Sequence, residues 1–465
     1  MNRFILAKRR TMQPVSLIKN LIMKQTFSAS QLETIFEELN QSKIHNPKSK
    51  IESRAPVHVV YGGANLFKAE TAQKLGRIAQ RSLPEYVPDA QSFAQIFDLP
   101  SDIAASIFER VRHKLETEPV EDFRIDFEDG YGFRSDAEED ADAIAASNEL
   151  AKAFEAQTIT PFCGFRIKSF QPETARRALK TLDLFLTNLL DQTGGRVPEN
   201  FVVTLPKVET ETQVKILTDL LAGFEETAKL SSGALKLEIL IETPAAILNN
   251  QGEINLQKLV AAADGRCVAA HFGAYDFTAA FGIVAEHQHL RHPLCDFARE
   301  WMQIALAPLG VRLSDSVTTL LPVPVYKNED LTAEQRAANR QAVTTAWREH
   351  FQNVTRSLAN GFYQSWDLHP VQLVARYAAV YAFFARSQES SATRLRGFLD
   401  KATKANLTGS QFDDAASANG LLNFFARALS CGAIDETEIL AKTDLSRDEL
   451  RSGSFAQIMA TRSQN

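Results

Sequence analysis

The side chains best suited to chemistry arrive in short bursts, each closing an apolar run. Phe123–Gly132 reads FRIDFEDGYG: Phe123, Ile125 and Phe127 alternate with Arg124, Asp126 and Glu128, and Glu128-Asp129 runs into a Gly-Tyr-Gly turn. Period-two alternation marks a strand. Carboxylates at its end fit either an exposed edge, where water satisfies them, or an interior strand where a cation or hydrogen-bond donors do so. The event recurs. Phe162–Ser169 ends in Arg166 and Lys168, Phe201–Leu205 runs into Lys207 and Glu209, and Leu237–Thr243 carries Glu242. Cys267–His271 leads through Phe272, Gly273, Ala274 and Tyr275 to Asp276. If these ends face one rim, five carboxylates and three cations share it. Crowded carboxylates repel and raise one another's pKa. A divalent ion removes that conflict, and all-oxygen ligation without His or Cys suits Mg²⁺ or Mn²⁺. A mixed network of ion pairs is the other use of the same charges.

Eight strand-like stretches must position these residues. Besides those above, they are Val57–Tyr61, a run over Ser316–Tyr326, and Phe362–Leu368. Helical patterns alternate with them: Lys68–Leu83, Ser101–Leu115, Asp136–Phe154, Pro172–Leu190, Glu211–Thr227, Pro293–Leu309 and Thr332–Leu358. Pro84–Pro100 reads as an irregular insertion. Alternating β and α over this span predicts an α/β fold of parallel strands, a (β/α)8 TIM barrel, with a doubly wound open sheet as the alternative. In either, chemistry sits at the C-terminal ends of the strands. A short helix over Gln31–Leu39 precedes the barrel, and helices at Val371–Ala385 and Phe412–Leu429 follow it. The expected division is therefore an N-terminal extension (1–55), a catalytic barrel (56–385) and a C-terminal helical cap (386–465). The apolar residues of that cap, Leu421, Leu422, Phe424 and Phe425 among them, predict packing on the barrel rim of its own or a neighbouring subunit.

Composition narrows the function. A net charge of −6 argues against a nucleic-acid or anionic-membrane surface, and no apolar run approaches the ~20 residues of a spanning helix. Four scattered cysteines without a CxxC pair fit a reducing, cytoplasmic setting. Residues 1–32 are basic and acid-free, which reads either as an organellar transit peptide or as a basic tail. His287, His289 and His292 have loop-like rather than zinc-site spacing. Ser314-Asp315-Ser316 reads as a turn cap or as an acid near the rim. Gly62-Gly63 makes either an anion cradle or a tight turn. Lys168 or Lys207 as a Schiff-base lysine is disfavoured, because neighbouring carboxylates keep an ammonium protonated.

Taken in order, DFEDG, FRIKS, LPKVET, LIET, FGAYD and WDLHP resemble the HpcH/HpaI aldolase superfamily, which includes the citrate lyase beta subunit and malyl-coenzyme A lyase. The resemblance spans roughly Val57–Val380, and Leu205–Glu209 and Ile239–Thr243 are its most specific pieces. It implies a (β/α)8 barrel that makes or breaks a carbon–carbon bond through a Mg²⁺-stabilised enolate. It implies a small carboxylate substrate, a 2-oxo or 3-hydroxy acid or its CoA thioester, and a homo-oligomer. By position, Glu242 and Asp276 would ligate Mg²⁺ (or Mn²⁺). Arg166 would grip the substrate carboxylate beside Gly273 and Ala274, Glu128 and Asp129 would hold metal-bound waters, and Lys207 and Glu209 would support them. His369 would be structural. The chain departs from the family pattern in three ways. His58 stands where an arginine is usual, Phe127–Gly132 replaces Leu-Glu-Asp-Ala-Val, and a coenzyme A clamp is not evident. A phosphoenolpyruvate-type phosphotransferase and a non-catalytic carboxylate-binding barrel are the rival readings.

Overall fold

In the computed structural model, residues 54–401 and 415–462 are described, together with Ser30 and Thr34. The chain falls into two compact units, Met1–Asn46 and Pro47–Asn465. In the first, Ser30 and Thr34 are helical, with Thr34 Oγ1 donating to the Ser30 carbonyl at 3.1 Å. The rest of the Gln31–Leu39 helix lies outside the described residues, as does the start of the Phe412–Leu429 helix. Everything below concerns the second unit.

Its strands are β1 (His58–Gly63), β2 (Asp122–Asp126), β3 (Phe162–Arg166), β4 (Phe201–Leu205), β5 (Lys236–Ile241), β6 (Cys267–Phe272), β7 (Arg312–Asp315) and β8 (Gln364–Asp367). All are parallel and pair in chain order, and β8 returns to β1 through Val59 opposite Trp366. The sheet is thus the closed barrel expected of eight βα repeats. Along β2 the alternation sorts two environments. Phe123, Ile125 and Phe127 join the apolar layer beneath the helices. Arg124 points into the barrel and reaches Glu238 of β5, Nε to Oε1 at 2.7 Å. Thr204, His271, Asp122 and Gln364 complete this interior layer. Thr204 Oγ1 donates to Glu238 at 2.5 Å, His271 Nε2 lies 3.1 Å from it, and Gln364 Nε2 donates to Asp122 at 3.0 Å. A barrel interior normally filled by branched apolar residues is here filled by a hydrogen-bonded polar plug. The polar face of β2 is therefore no exposed edge.

Three expectations need correction. The seventh strand is Arg312–Asp315, not Ser316–Tyr326, and residues 316–331 form a loop above it. Pro322 and Pro324 remove two ladder donors from that β-branched run, and Leu320, Val323 and Val325 are exposed. Pro84–Pro100 is not irregular. The Thr71–Tyr86 helix carries Pro84 in its last turn, and Asp89 then caps an Ala90–Phe97 helix, accepting the Ser92 N–H at 2.7 Å. Finally, one helix runs unbroken from Gln372 to Lys401, across Ala385.

Helices Ala415–Ser430 and Glu436–Thr443 pack against that long helix. They sit where the strands begin. Ser430 Oγ accepts the N–H of Ala55 at 2.7 Å, and Arg427 lies over Tyr363, the residue before β8, at 5.0 Å. Within one chain the helical cap therefore closes the end of the barrel opposite the charged rim. Among the described residues, no helix is long and apolar enough to cross a membrane.

Candidate active site

At the C-terminal mouth, Arg166 ends β3 and is 2% exposed. Its Nε and Nη2 form a two-pronged pair with Asp126 at 2.7 and 2.6 Å, and its Nη1 lies 2.9 Å from Glu128 and 3.5 Å from Asp129. Asp126 also accepts the N–H groups of Glu128 and Gly130, at 3.0 and 2.7 Å. Although burial works against it, Arg166 holds Asp126 below the usual carboxylate range. The guanidinium stands over the rings of Tyr61 and Trp366, 4.8 and 5.6 Å from their centres.

Lys207 adopts φ +49°, an uncommon left-handed conformation for a long side chain. The turn after β4 thereby aims two donors at the site. The backbone N–H reaches Glu242 Oε1 at 2.6 Å, and Nζ reaches Glu128 at 2.7 Å and Asp276 at 3.2 Å. Burial opposes charge on Lys207, but Glu242, Glu128 and Asp129 raise its pKa nonetheless. Glu242, one residue past β5, is 2% exposed. Burial pushes its carboxyl up to about 8, and Glu128 and Asp276 add repulsion that Lys207 and Arg166 only partly offset. Burial likewise raises Glu128. A Cβ on Gly273 would stand 2.6 Å from Glu242 Cβ and Oε2, so only glycine lets the sixth strand end pass this carboxylate.

These groups border a cavity of about 410 Å³, lined by the charged Asp126, Asp129, Arg166, Glu242, Asp276 and Asp367, by Gly273, and by the largely apolar Tyr61, Tyr275, Val317, Trp366 and Leu368. Ala274 is buried, and its N–H is used by Ser316 Oγ at 3.1 Å. Lys168 turns toward the preceding helix, Asp136–Glu155, its Nζ 2.7 Å from Glu139. Asp315 is tied behind the wall by Arg299, Ser316 and Ser357, and acts as a cap rather than a rim acid. His292 caps the Pro293–Leu306 helix and His369 Nδ1 accepts the Val371 N–H. Gly62 and Gly63 are neither a turn nor a cradle but the last two residues of β1, where they serve close packing, since a Cβ on Gly63 would fall 2.5 Å from the Gly130 carbonyl. The sequence reading singled out neither Asp126 nor the aromatic wall of Tyr61, Trp366 and Tyr275. Asp126 had a signal, its place two residues before Glu128 on the same face.

The donor set suits a divalent cation. Among the described residues, Asp126, Glu128, Asp129 and Asp276 pair with Arg166 and Lys207, and Glu242, 2% exposed, lacks an ion-pair partner of its own. As they stand, no three His, Cys, Asp or Glu side chains among the described residues converge in ligand geometry. Lys207 is instead the group shared between Glu128 and Asp276.

Residues 41–458 match the model of a domain of unknown function, DUF6986. The chain belongs to the DUF6986 family. No curated protein matches this DUF6986 chain by sequence. Among solved structures, a citrate lyase from Burkholderia xenovorans LB400 aligns over 84% of this chain and 97% of its own, at 17% identity and a TM-score of 0.52. A Haloferax volcanii malate synthase in a magnesium/glyoxylate complex covers 80% and 88%, at 13% identity and TM-score 0.41. An HpcH/HpaI aldolase/citrate lyase family protein from Burkholderia cenocepacia J2315 covers 76% and 98%, at 12% identity and TM-score 0.36. At these identities the likeness is one of fold, and the citrate lyase carries it.

Proposed function

We propose that this DUF6986 barrel is a Mg²⁺-dependent carbon–carbon lyase or aldolase that acts through an enolate on a small 2-oxo or 3-hydroxy acid or its CoA thioester. The observation that carries the reading is Glu242. It is a buried carboxyl pushed up to about 8 among other carboxylates, at the end of the barrel where such folds do chemistry. Mg²⁺ held by Glu242 and Asp276 would supply Lewis-acid stabilisation of negative charge developing on an oxo oxygen. The chain's own residues do the rest. Asp126 fixes the guanidinium plane of Arg166, whose Nη1, 2.9 Å from Glu128, would exchange that carboxylate for a substrate oxygen. Lys207 stays an ammonium and serves as a fixed positive charge. Glu128 bridges the two cations and sets their spacing.

No observation favours phosphoryl transfer, because the glycines that would cradle a phosphate pack against Phe123 and Gly130. The test is a panel of 2-oxo acids, 3-hydroxy acids, acyl thioesters and ATP, each with and without Mg²⁺. Cleavage or condensation of an oxo or hydroxy acid that requires Mg²⁺ is the expected result. ATP-dependent turnover, or binding without turnover across the panel, would overturn it.

A further inference from the structure

The cavity has two unlike halves. Most of its charged groups come from the ends of β2, β3 and β5 and the turn after β6; Asp367 of β8 also lines it, with its carboxylate engaged by Arg376, His58 and His350. The segments after β6 and β7 and strands β8 and β1 contribute Tyr275, Val317, Trp366, Leu368 and Tyr61. Among the described residues lining the cavity, Arg166 is the one cation, and its Nε–Nη2 edge is committed to Asp126. A substrate with a second carboxylate would therefore meet Asp367, rings and aliphatic carbons there, with no further cation besides the Arg166 guanidinium that already lies over Tyr61 and Trp366.

The aromatic half is built rather than incidental. Tyr61 and Trp366 stack with ring centres 4.2 Å apart, and Arg166 covers both. The indole is fixed from beneath, since Trp366 Nε1 donates to His271 Nδ1 at 3.1 Å. An indole N–H can only donate, so His271 Nδ1 accepts and its proton sits on Nε2, 3.1 Å from Glu238. The polar plug of the barrel thus sets the angle of the wall above it. The volume, about 410 Å³, lies within the ~300–1,000 Å³ of clefts that enclose drug-sized ligands rather than two- or three-carbon acids.

We propose that this pocket selects a monocarboxylic oxo or hydroxy acid bearing a flat, apolar substituent, an aryl group above all. The acid head lies on the Arg166 side and the substituent against Trp366 and Tyr61. The proposal rests on the oxo-acid reading above and sharpens it, and Trp366 is its specificity-determining residue.

Isothermal titration of the full chain in saturating Mg²⁺ with pyruvate and with phenylpyruvate tests it. Phenylpyruvate should bind at least ~10-fold tighter, about 1.4 kcal/mol. The ratio of the two Kd values should fall toward one in Trp366→Leu. It should fall similarly in Leu368→Asp, whose side chain is 45% exposed at the mouth, so that a folded variant is in hand whatever Trp366→Leu does. Equal binding of the two acids, or a preference that survives both substitutions, would overturn the specificity and leave the lyase reading standing. If neither acid binds, the oxo-acid reading itself falls, and this proposal with it.

Discussion

Two buried carboxylates lie at the same end of this barrel and have opposite fates. Asp367, the last residue of β8, is 1% exposed; Glu242, just past β5, is 2% exposed. Asp367 meets Arg376 Nη2 at 2.7 Å, His58 Nδ1 at 2.9 Å and His350 Nε2 at 2.8 Å. The Glu121 N–H donates to His58 Nε2, so the His58 proton is on Nδ1 and is donated to Asp367. Burial would raise the Asp367 pKa, but Arg376 and the two imidazoles hold it well below the carboxylate range. Glu242 receives one backbone N–H and has carboxylates for neighbours, and it rises to about 8. The same desolvation acts on both, and the partners decide the sign. Asp367 fastens β1 and β8 to the helices outside. Glu242 is held short of positive charge, which costs the fold stability and is the condition under which it would serve the proposed function as a ligand.

Removing one oxygen charge from each separates the two roles. Asp367→Asn leaves Arg376 buried without its counter-charge, a loss expected to cost ~3–5 kcal/mol in denaturant unfolding. Glu242→Gln should leave the metal-free protein as stable as before or more so, while abolishing Mg²⁺-induced stabilisation and turnover. Equal destabilisation by the two substitutions would dissolve the contrast.

The arginine partners extend it. Arg166 and Arg376 each clamp an aspartate with Nε and Nη2, yet Nη1 of Arg166 meets Glu128 of the charged mouth at 2.9 Å, while Nη1 of Arg376 goes to Ser365 at 2.6 Å. An ammonium cannot reproduce a two-pronged pair. Arg166→Lys should therefore lose ~100-fold or more in kcat/KM, the scale of a lost oxyanion donor. Arg376→Lys should lower the unfolding midpoint with kcat/KM close to wild type. If Arg166→Lys behaves like Arg376→Lys, the Arg166 guanidinium is part of the wall and not of the site.

How much of this was legible beforehand follows from periodicity. The alternation of β2 and the runs before Arg166, Lys207, Glu242 and Asp276 gave strands that end within a few residues of those observed, because each polar burst falls near where a strand stops. The seventh strand was misplaced because Val317–Val325 carries the stronger β-branched signal and Arg312–Asp315 is only four residues long. Local propensity does not register that two prolines cannot sit in an interior ladder until the ladder is known. The convergence of Asp126 on Arg166 depends on the register of β2 against β3, and that of Trp366 on Tyr61 on the closure of β8 against β1. No single run of sequence encodes that. Likewise, the charge on Lys168 was visible but its direction was not: it shares the parity of Arg166, but β3 ends at Arg166, and beyond a strand's end alternation no longer sets where a side chain points.

The smallest expected effect isolates Glu242 by pH. Its folded pKa is raised from 4.5 to about 8, so between those values the folded chain binds more protons than the unfolded one. Stability present below pH 4.5 is therefore lost progressively as pH rises through 8. Asp367 runs the other way. Its pKa is depressed from 3.8, so its contribution is complete above that value and lost only in acid. His350, depressed from 6.5 by burial, loses stability as pH falls below 6.5 and is neutral in both states above it. From pH 6.5 to 8 these two are silent and Glu242 is not. In EDTA, the wild-type Tm should fall across this window relative to Glu242→Gln, by roughly 2 °C or less per kcal/mol for a chain of this size. Mg²⁺ should remove the difference by favouring the ionised carboxylate, and should raise the wild-type Tm more at pH 8 than at pH 6.5. Parallel melting curves for the two proteins in EDTA across the window would show that Glu242 is already balanced without a metal, and would place it beside Asp367 as part of the wall.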